Sequence, residues 1–83
     1  MDLLYFARIR ETIGCSSEKY NLPASVTTVG ELMECLREKG TNYAAAFGDE
    51  SLIRVAVNQT YVNFDHAISD GDEVAFFPPM TGG

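Results

Sequence analysis

The sequence predicts an α+β fold in which a mixed β-sheet packs against one main helix, and three observations carry that prediction. An amphipathic helical pattern in the first half of the chain opens on a capping motif, strongly apolar strand patterns stand at both ends, and no repeat, linker or low-complexity run divides the 83 residues. A chain of this length makes one domain, and folding hides only about 60–65% of its extended surface, so a single core has little surplus. The hydrophobic fraction of 46%, with four tyrosines and five phenylalanines, is that of a packed core rather than a disordered chain.

Leu3 to Ile9 alternates and is apolar on both faces, the pattern of a central strand covered on more than one side. Arg10-Glu11-Thr12-Ile13-Gly14 reads as a turn, or a single helical turn, closed by glycine. Ser17 to Leu22 is a weak strand of mixed polarity, suited to an edge and ended by Pro23. Thr28-Val29-Gly30-Glu31 is a capping box, so a helix begins at Val29, and Val29, Leu32, Met33 and Leu36 form one apolar stripe. Gly40 is its expected stop, in the left-handed conformation, and Cys35 lies beside the stripe as a small apolar residue. Asn42 to Phe47 predicts one or two helical turns ending at Gly48-Asp49. Leu52 to Val57 is a β-branched strand, turned by Asn58-Gln59-Thr60 into a short partner around Tyr61-Val62. Asp70-Gly71-Asp72 is a turn, and Glu73 to Phe77 is the last strand. Strand, strand, helix, then two or three strands is the order of the β-grasp, or ubiquitin-like, architecture. Its first and last strands lie parallel in the middle because the helix supplies the crossover.

Twelve acidic against six basic side chains give a formal charge of -6, which repels phosphate backbones and anionic lipid head groups. Nucleic acid and membrane surfaces are therefore not expected partners, and a basic patch on another protein is. The opening segment carries Asp2, Arg8 and Arg10, and reads as neither a signal peptide nor a membrane span. A cytoplasmic protein is expected, with Cys15 and Cys35 free. Asn58-Gln59-Thr60 also matches a glycosylation sequon but reads as a turn. His66 is the only histidine and the cysteines lack metal-ligand spacing, so no metal site is expected. A calcium loop centred on Gly71 fails, because Ile68 and Phe77 stand where oxygen ligands are required. No phosphate-binding loop, nucleophile elbow or poised nucleophile-base pair is visible in the body of the chain.

That elimination leaves the end, Phe76-Phe77-Pro78-Pro79-Met80-Thr81-Gly82-Gly83. Two prolines cannot donate to the sheet, so residues 1–77 are the expected domain and residues 78–83 an extended, flexible tail. Six residues reach about 20 Å. Gly82 and Gly83 have no Cβ and fit a channel too narrow for other residues, and Pro78, Pro79, Met80 and Thr81 precede them on the way in. The terminal carboxylate, with a pKa near 3.5, is ionised and can attack an activated phosphate to give an acyl adenylate.

Val57-Asn58-Gln59-Thr60, Phe64-Asp65-His66, Asp70-Gly71-Asp72-Glu73-Val74-Ala75-Phe76-Phe77-Pro78-Pro79 and Thr81-Gly82-Gly83, with Tyr5-Phe6-Ala7-Arg8, Arg10-Glu11 and Gly14, resemble the small subunit of molybdopterin synthase, the MoaD-type sulfur carriers. Met80 and Ala67 depart from residues the family often has there, valine and proline. The resemblance implies that an E1-like enzyme uses ATP to adenylate the Gly83 carboxylate and that a persulfide donor converts it to a thiocarboxylate. The large synthase subunit then receives the tail and passes the sulfur to cyclic pyranopterin monophosphate, building the dithiolene. This chain would bind no cofactor, and the acid-base groups would belong to the large subunit. The resemblance also implies a docking surface at the tail's root from Phe6, Tyr61 and Phe77, although these aromatics can equally be core residues; Arg8 and Arg10 read as solvated surface charge, with rim contacts as the alternative. A ThiS-type thiamine sulfur carrier is the nearest alternative, and a ubiquitin-like modifier or interaction module is the alternative of another class.

Overall fold

A computed structural model describes residues 1–79 of the chain. The elements run β1 (Asp2–Tyr5), α1 (Ala7–Ile13), β2 (Ser17–Lys19), α2 (Val29–Arg37), α3 (Thr41–Ala46), a 3-10 turn (Glu50–Leu52), β3 (Arg54–Val57), β4 (Thr60–Val62) and β5 (Glu73–Phe77). The five strands form one mixed sheet in the order β2-β1-β5-β3-β4. β5 is central, parallel to β1 and antiparallel to β3, and β2 and β4 are the edges. This is the β-grasp arrangement, with the first and last strands side by side.

One face of the sheet makes the core. Leu3, Tyr5, Val55, Val57, Val74 and Phe76 point into it and meet the α2 stripe of Val29, Leu32, Met33 and Leu36, all four fully buried. Tyr5, Phe47 and Phe76 pack as an aromatic trio, with the Phe47 and Phe76 ring centroids 4.9 Å apart and nearly perpendicular. The capping box forms as the sequence predicts: the Glu31 amide donates to Thr28 Oγ1 at 3.2 Å, and the Thr28 amide donates to the Glu31 carboxylate at 3.2 Å. The loop before β5 pins the same helix end, because the Val29 and Gly30 amides donate to the His66 and Phe64 carbonyls.

Three expectations require correction. The first strand ends at Tyr5, not Ile9, and the turn or single helical turn expected over Arg10–Gly14 is the end of a longer helix, Ala7–Ile13. Its buried residues are Ile9 and Ile13, one turn apart, and Gly14 closes it at φ 99° with its amide on the Arg10 carbonyl. Gly40 is not left-handed: α2 ends at Arg37 through short-range bonds from the Glu38 and Lys39 amides to Cys35 and Leu36, and Gly40 at φ 167° is extended backbone preceding α3. The third strand starts at Arg54, since Glu50–Leu52 is a 3-10 turn. Cys15 and Cys35 are free, and both are half-buried against the core. Among the described residues, no helix is long and apolar enough to cross a membrane.

Candidate functional site

The strand that leads to the tail is held from both sides. Leu3, Leu4 and Tyr5 of β1 stand beside Val74, Ala75 and Phe76, while Arg54 to Val57 of β3 pair with Phe77 to Val74 on the other flank. Alternation then separates the two phenylalanines: Phe76 is fully buried in the core, and Phe77 lies on the opposite, open face of the sheet. Pro78 and Pro79 follow, both half-buried. Of the tail residues named from the sequence, Met80, Thr81, Gly82 and Gly83 lie outside the described residues.

The open face at this root is apolar and uncovered. Tyr61 lies opposite Ala56 on β3 and is 79% exposed, and its ring centroid is 5.3 Å from that of Phe77. The pair lines a shallow groove of about 480 Å³ with Arg54, Val55, Val62, Asn63 and Pro79. Phe6 is 45% exposed at the end of β1, and its amide donates to the Phe76 carbonyl at 3.1 Å. Among the described residues its ring stacks on neither Tyr61 nor Phe77. The structure thus brings Tyr61 and Phe77 together and leaves Phe6 separate, between β1 and α1. Arg8 and Arg10 are exposed on α1, and Arg8 lines a different depression with Asp49 and Leu52.

Arg54 is a residue that the sequence did not single out. It faces Phe77 across the β3–β5 ladder and is, among the described residues, the only charged group lining the groove, and its Nη1 donates to the Ile53 carbonyl at 3.0 Å. The signal was available in principle, since register places it opposite the last residue of the sheet, but register requires the strand to start at Arg54. Among the described residues, that lining of Arg, Val, Tyr, Asn, Phe and Pro holds no carboxylate, imidazole or thiol, and its mix of apolar area with a few polar groups suits binding.

The strongest electrostatic perturbation lies elsewhere, on the β2 side of the sheet. Glu18 accepts from Tyr5 Oη at 2.8 Å, Tyr43 Oη at 2.6 Å and Lys39 Nζ at 2.6 Å. Burial would raise its carboxyl pKa, but these three donors outweigh burial and hold it below the ordinary value. Burial, aided by the same carboxylate, pushes the Tyr5 and Tyr43 phenols up. All three acceptances are satisfied within the fold, so the cluster ties β2 to α2 and α3 and is not a proton-transfer site. Among the described residues, no group of three His, Cys, Asp or Glu side chains is close enough to hold a metal ion.

Comparison with known proteins extends the likeness over the whole chain. The model of the ThiS family matches residues 3–83. The molybdopterin synthase sulfur carrier subunit of Escherichia coli K12 is 44% identical over 81 residues, covering 98% of this chain and 96% of that protein. Its Haemophilus influenzae counterpart is 40% identical over 83 residues, covering 100% and 99%. Among solved structures, SAMP1 from Haloferax volcanii superposes with a TM-score of 0.77 at 28% identity, covering 100% of this chain and 98% of that one.

Proposed function

This chain belongs to the ThiS family, and we propose that within it the protein is the sulfur-carrier subunit of a molybdopterin synthase, as its bacterial relatives are named. The observation that carries this reading is the 44% identity running through nearly the full length of both chains. The carboxylate of Gly83 is the working group. It attacks the α-phosphate of ATP on an E1-like enzyme, releasing pyrophosphate and leaving an acyl adenylate. A persulfide then attacks the acyl carbon with its outer sulfur and AMP departs; a second thiol cleaves the resulting acyl disulfide, so that a thiocarboxylate remains and the donor is left as a disulfide. The large synthase subunit takes this tail into its active site, and sulfur passes to cyclic pyranopterin monophosphate. ATP serves the activating enzyme, and no cofactor belongs to this chain. The chemistry requires a compartment with ATP and reduced thiols, which is the cytoplasm.

The fold supports these roles through rigidity at one end of the carrier. β5 is central, so the base of the tail is fixed by two neighbouring strands, while Phe77 and Tyr61 offer an apolar landing surface beside it. Pro78 and Pro79 stiffen the exit, and Met80, Thr81 and Gly82 are the residues that would line the partner's channel. Partner recognition belongs to Phe6, Tyr61 and Phe77, with Arg54 opposite Phe77 setting its polarity.

Mass spectrometry of the protein isolated from cells tests the reading. The expected product is an intact chain whose mass has grown by the replacement of one oxygen with sulfur. Deleting Gly83 is expected to abolish molybdopterin formation with the cognate large subunit while leaving thermal unfolding unchanged. Restoration of molybdopterin formation by the truncated chain would overturn the terminal mechanism, as would a tail found only in amide linkage to lysines of unrelated proteins.

A further inference from the structure

An activated carboxyl terminus is an acyl donor, and any unprotonated amine that meets it is an acceptor. The chain has two lysines, Lys19 and Lys39, and the fold treats them oppositely. Lys39 is withdrawn. Its Nζ donates to Glu18 at 2.6 Å and lies 4.7 Å from the Tyr43 ring centroid and 5.6 Å from that of Tyr20. Burial alone would favour loss of its proton, but the Glu18 carboxylate outweighs burial and holds the ammonium above its ordinary pKa. A protonated amine has no lone pair with which to attack. The amino group of Met1 is also engaged, donating to the Tyr20 carbonyl at 2.8 Å and to Asp70 at 3.3 Å.

Lys19 is the exception. It stands on the edge strand β2 with its side chain 88% exposed, and among the described residues its one charged partner is Asp2 at 2.5 Å, itself half-exposed. An ion pair in that setting exchanges readily with water and shields the amine little. We propose that Lys19 is the acyl-acceptor site of this fold: when the terminus of one copy is activated and no sulfur nucleophile takes it, Lys19 of a second copy does. The inference rests on the sulfur-carrier reading, which supplies the activated terminus from ATP. In the step itself, the neutral Lys19 amine attacks the Gly83 acyl carbon of the adenylate. The carbon–nitrogen bond forms, the bond to the phosphate oxygen breaks, AMP leaves with the electron pair, and the surplus amine proton passes to water. Nothing is oxidised or reduced.

The sheet makes this reaction intermolecular. Lys19 pairs with Asp2, which pairs with Glu73, so Lys19 sits at the end of the sheet opposite Phe77 and two strands away. Counted to Pro79, six residues along and two strands across is about 22 Å. The four residues beyond Pro79 span at most about 13 Å and the lysine side chain adds about 6 Å, which falls short even if the chain doubled straight back. The tail's root and the acceptor are therefore at opposite ends of the sheet, a head-to-tail relation that gives open chains rather than closed pairs.

The test uses the full chain with a thioester installed chemically at Gly83, mercaptoethanesulfonate being the leaving thiol, incubated at about pH 8, below the ordinary lysine pKa of about 10.4. The expected result is a ladder of covalent dimers and longer chains joined from Gly83 to Lys19, with an initial rate second order in protein. Lys19→Arg is expected to lower that rate at least about tenfold, and Lys39→Arg to leave it within about twofold, since arginine stays protonated and cannot accept the acyl group. Glu18→Gln, which loosens the clasp while keeping both amines, is expected to bring Lys39 into the products. Linkage at Lys39 or Met1 in the parent chain, a ladder indifferent to Lys19→Arg, or a first-order rate with a cyclised monomer would overturn the proposal. No activating enzyme enters this experiment, so its outcome is separate from that of the thiocarboxylate measurement in cells.

Discussion

Two neighbouring phenylalanines show how one residue type takes opposite duties. Phe76 is fully buried against Phe47 and Tyr5, so Phe76→Ala should cost about 3–5 kcal/mol in urea unfolding, most of the margin of a domain this small. Tyr61, 79% exposed, carries almost no folding energy: Tyr61→Ala should change stability by less than about 0.5 kcal/mol. On the proposed function, the same substitution should weaken binding to a molybdopterin synthase large subunit about tenfold, as calorimetric titration would read. Alternation along Glu73–Phe77 puts Phe76 and Phe77 on opposite faces, but only the packed sheet shows which of the two faces the core. The exposure of Tyr61 was not legible, because a tyrosine on a short strand is as often covered as bare. Backbone strain sets a further residue-scale outcome. Asn58 and Gln59 turn β3 into β4 with φ of 50° and 70°, and Asn58 also bonds Asp72 and the Glu73 amide. Gln59 makes no such bond, so Gln59→Gly should raise stability by about 0.5–1 kcal/mol, measured by thermal melting.

Among the elements, α2 was readable and α1 was not. Thr28 and Glu31 stand three apart ahead of a clean apolar stripe, and both reciprocal bonds form, so Thr28→Ala should cost about 1 kcal/mol. In Tyr5-Phe6-Ala7-Arg8-Ile9 the apolar residues satisfy a strand as well as a helix, and Ala7 enters α1 at φ 51°, a conformation no pattern announces. The same limit hid the clasp on β2, because Glu18 meets Tyr43 across 25 positions of sequence. That clasp gives the short edge strand a pH dependence of its own. The folded Glu18 carboxyl lies below its ordinary value of 4.5. The stability it supplies is therefore complete above that value and is lost as pH falls through the lower, folded one. Hydrogen exchange of the β2 amides should accelerate on acidification below about pH 4.5, and Glu18→Gln should make those amides exchange quickly at neutral pH and flatten the dependence.

For the molecule as a whole, charge and topology decide the behaviour. Asp72 is held below its ordinary pKa by Asn58 and Ser69, and Asp70 by Leu22 and the Met1 amino group, so the sign found for Glu18 recurs at the loops that gather β2, β3 and β5. Stability should therefore fall on acidification as these carboxylates protonate, which urea unfolding at a series of pH values would read. The net charge of -6 adds that association with a basic partner should slow as salt rises, a change stopped-flow mixing would detect. The architecture and the position of β5 were legible because crossover rules leave few places for an apolar last strand. The groove beside the tail was not, because it depends on which residue of β3 opposes Phe77. The central placing of β5 carries a mechanical consequence. A partner that grips the tail and pulls loads β5 along its length, so the ladders to β1 and β3 resist together in shear instead of opening one bond at a time. Tension between Met1 and Pro79 drags two parallel neighbours in opposite directions, and a force-spectroscopy trace should show one high rupture peak. A carrier built this way can have its tail drawn into and out of enzyme channels repeatedly without unravelling.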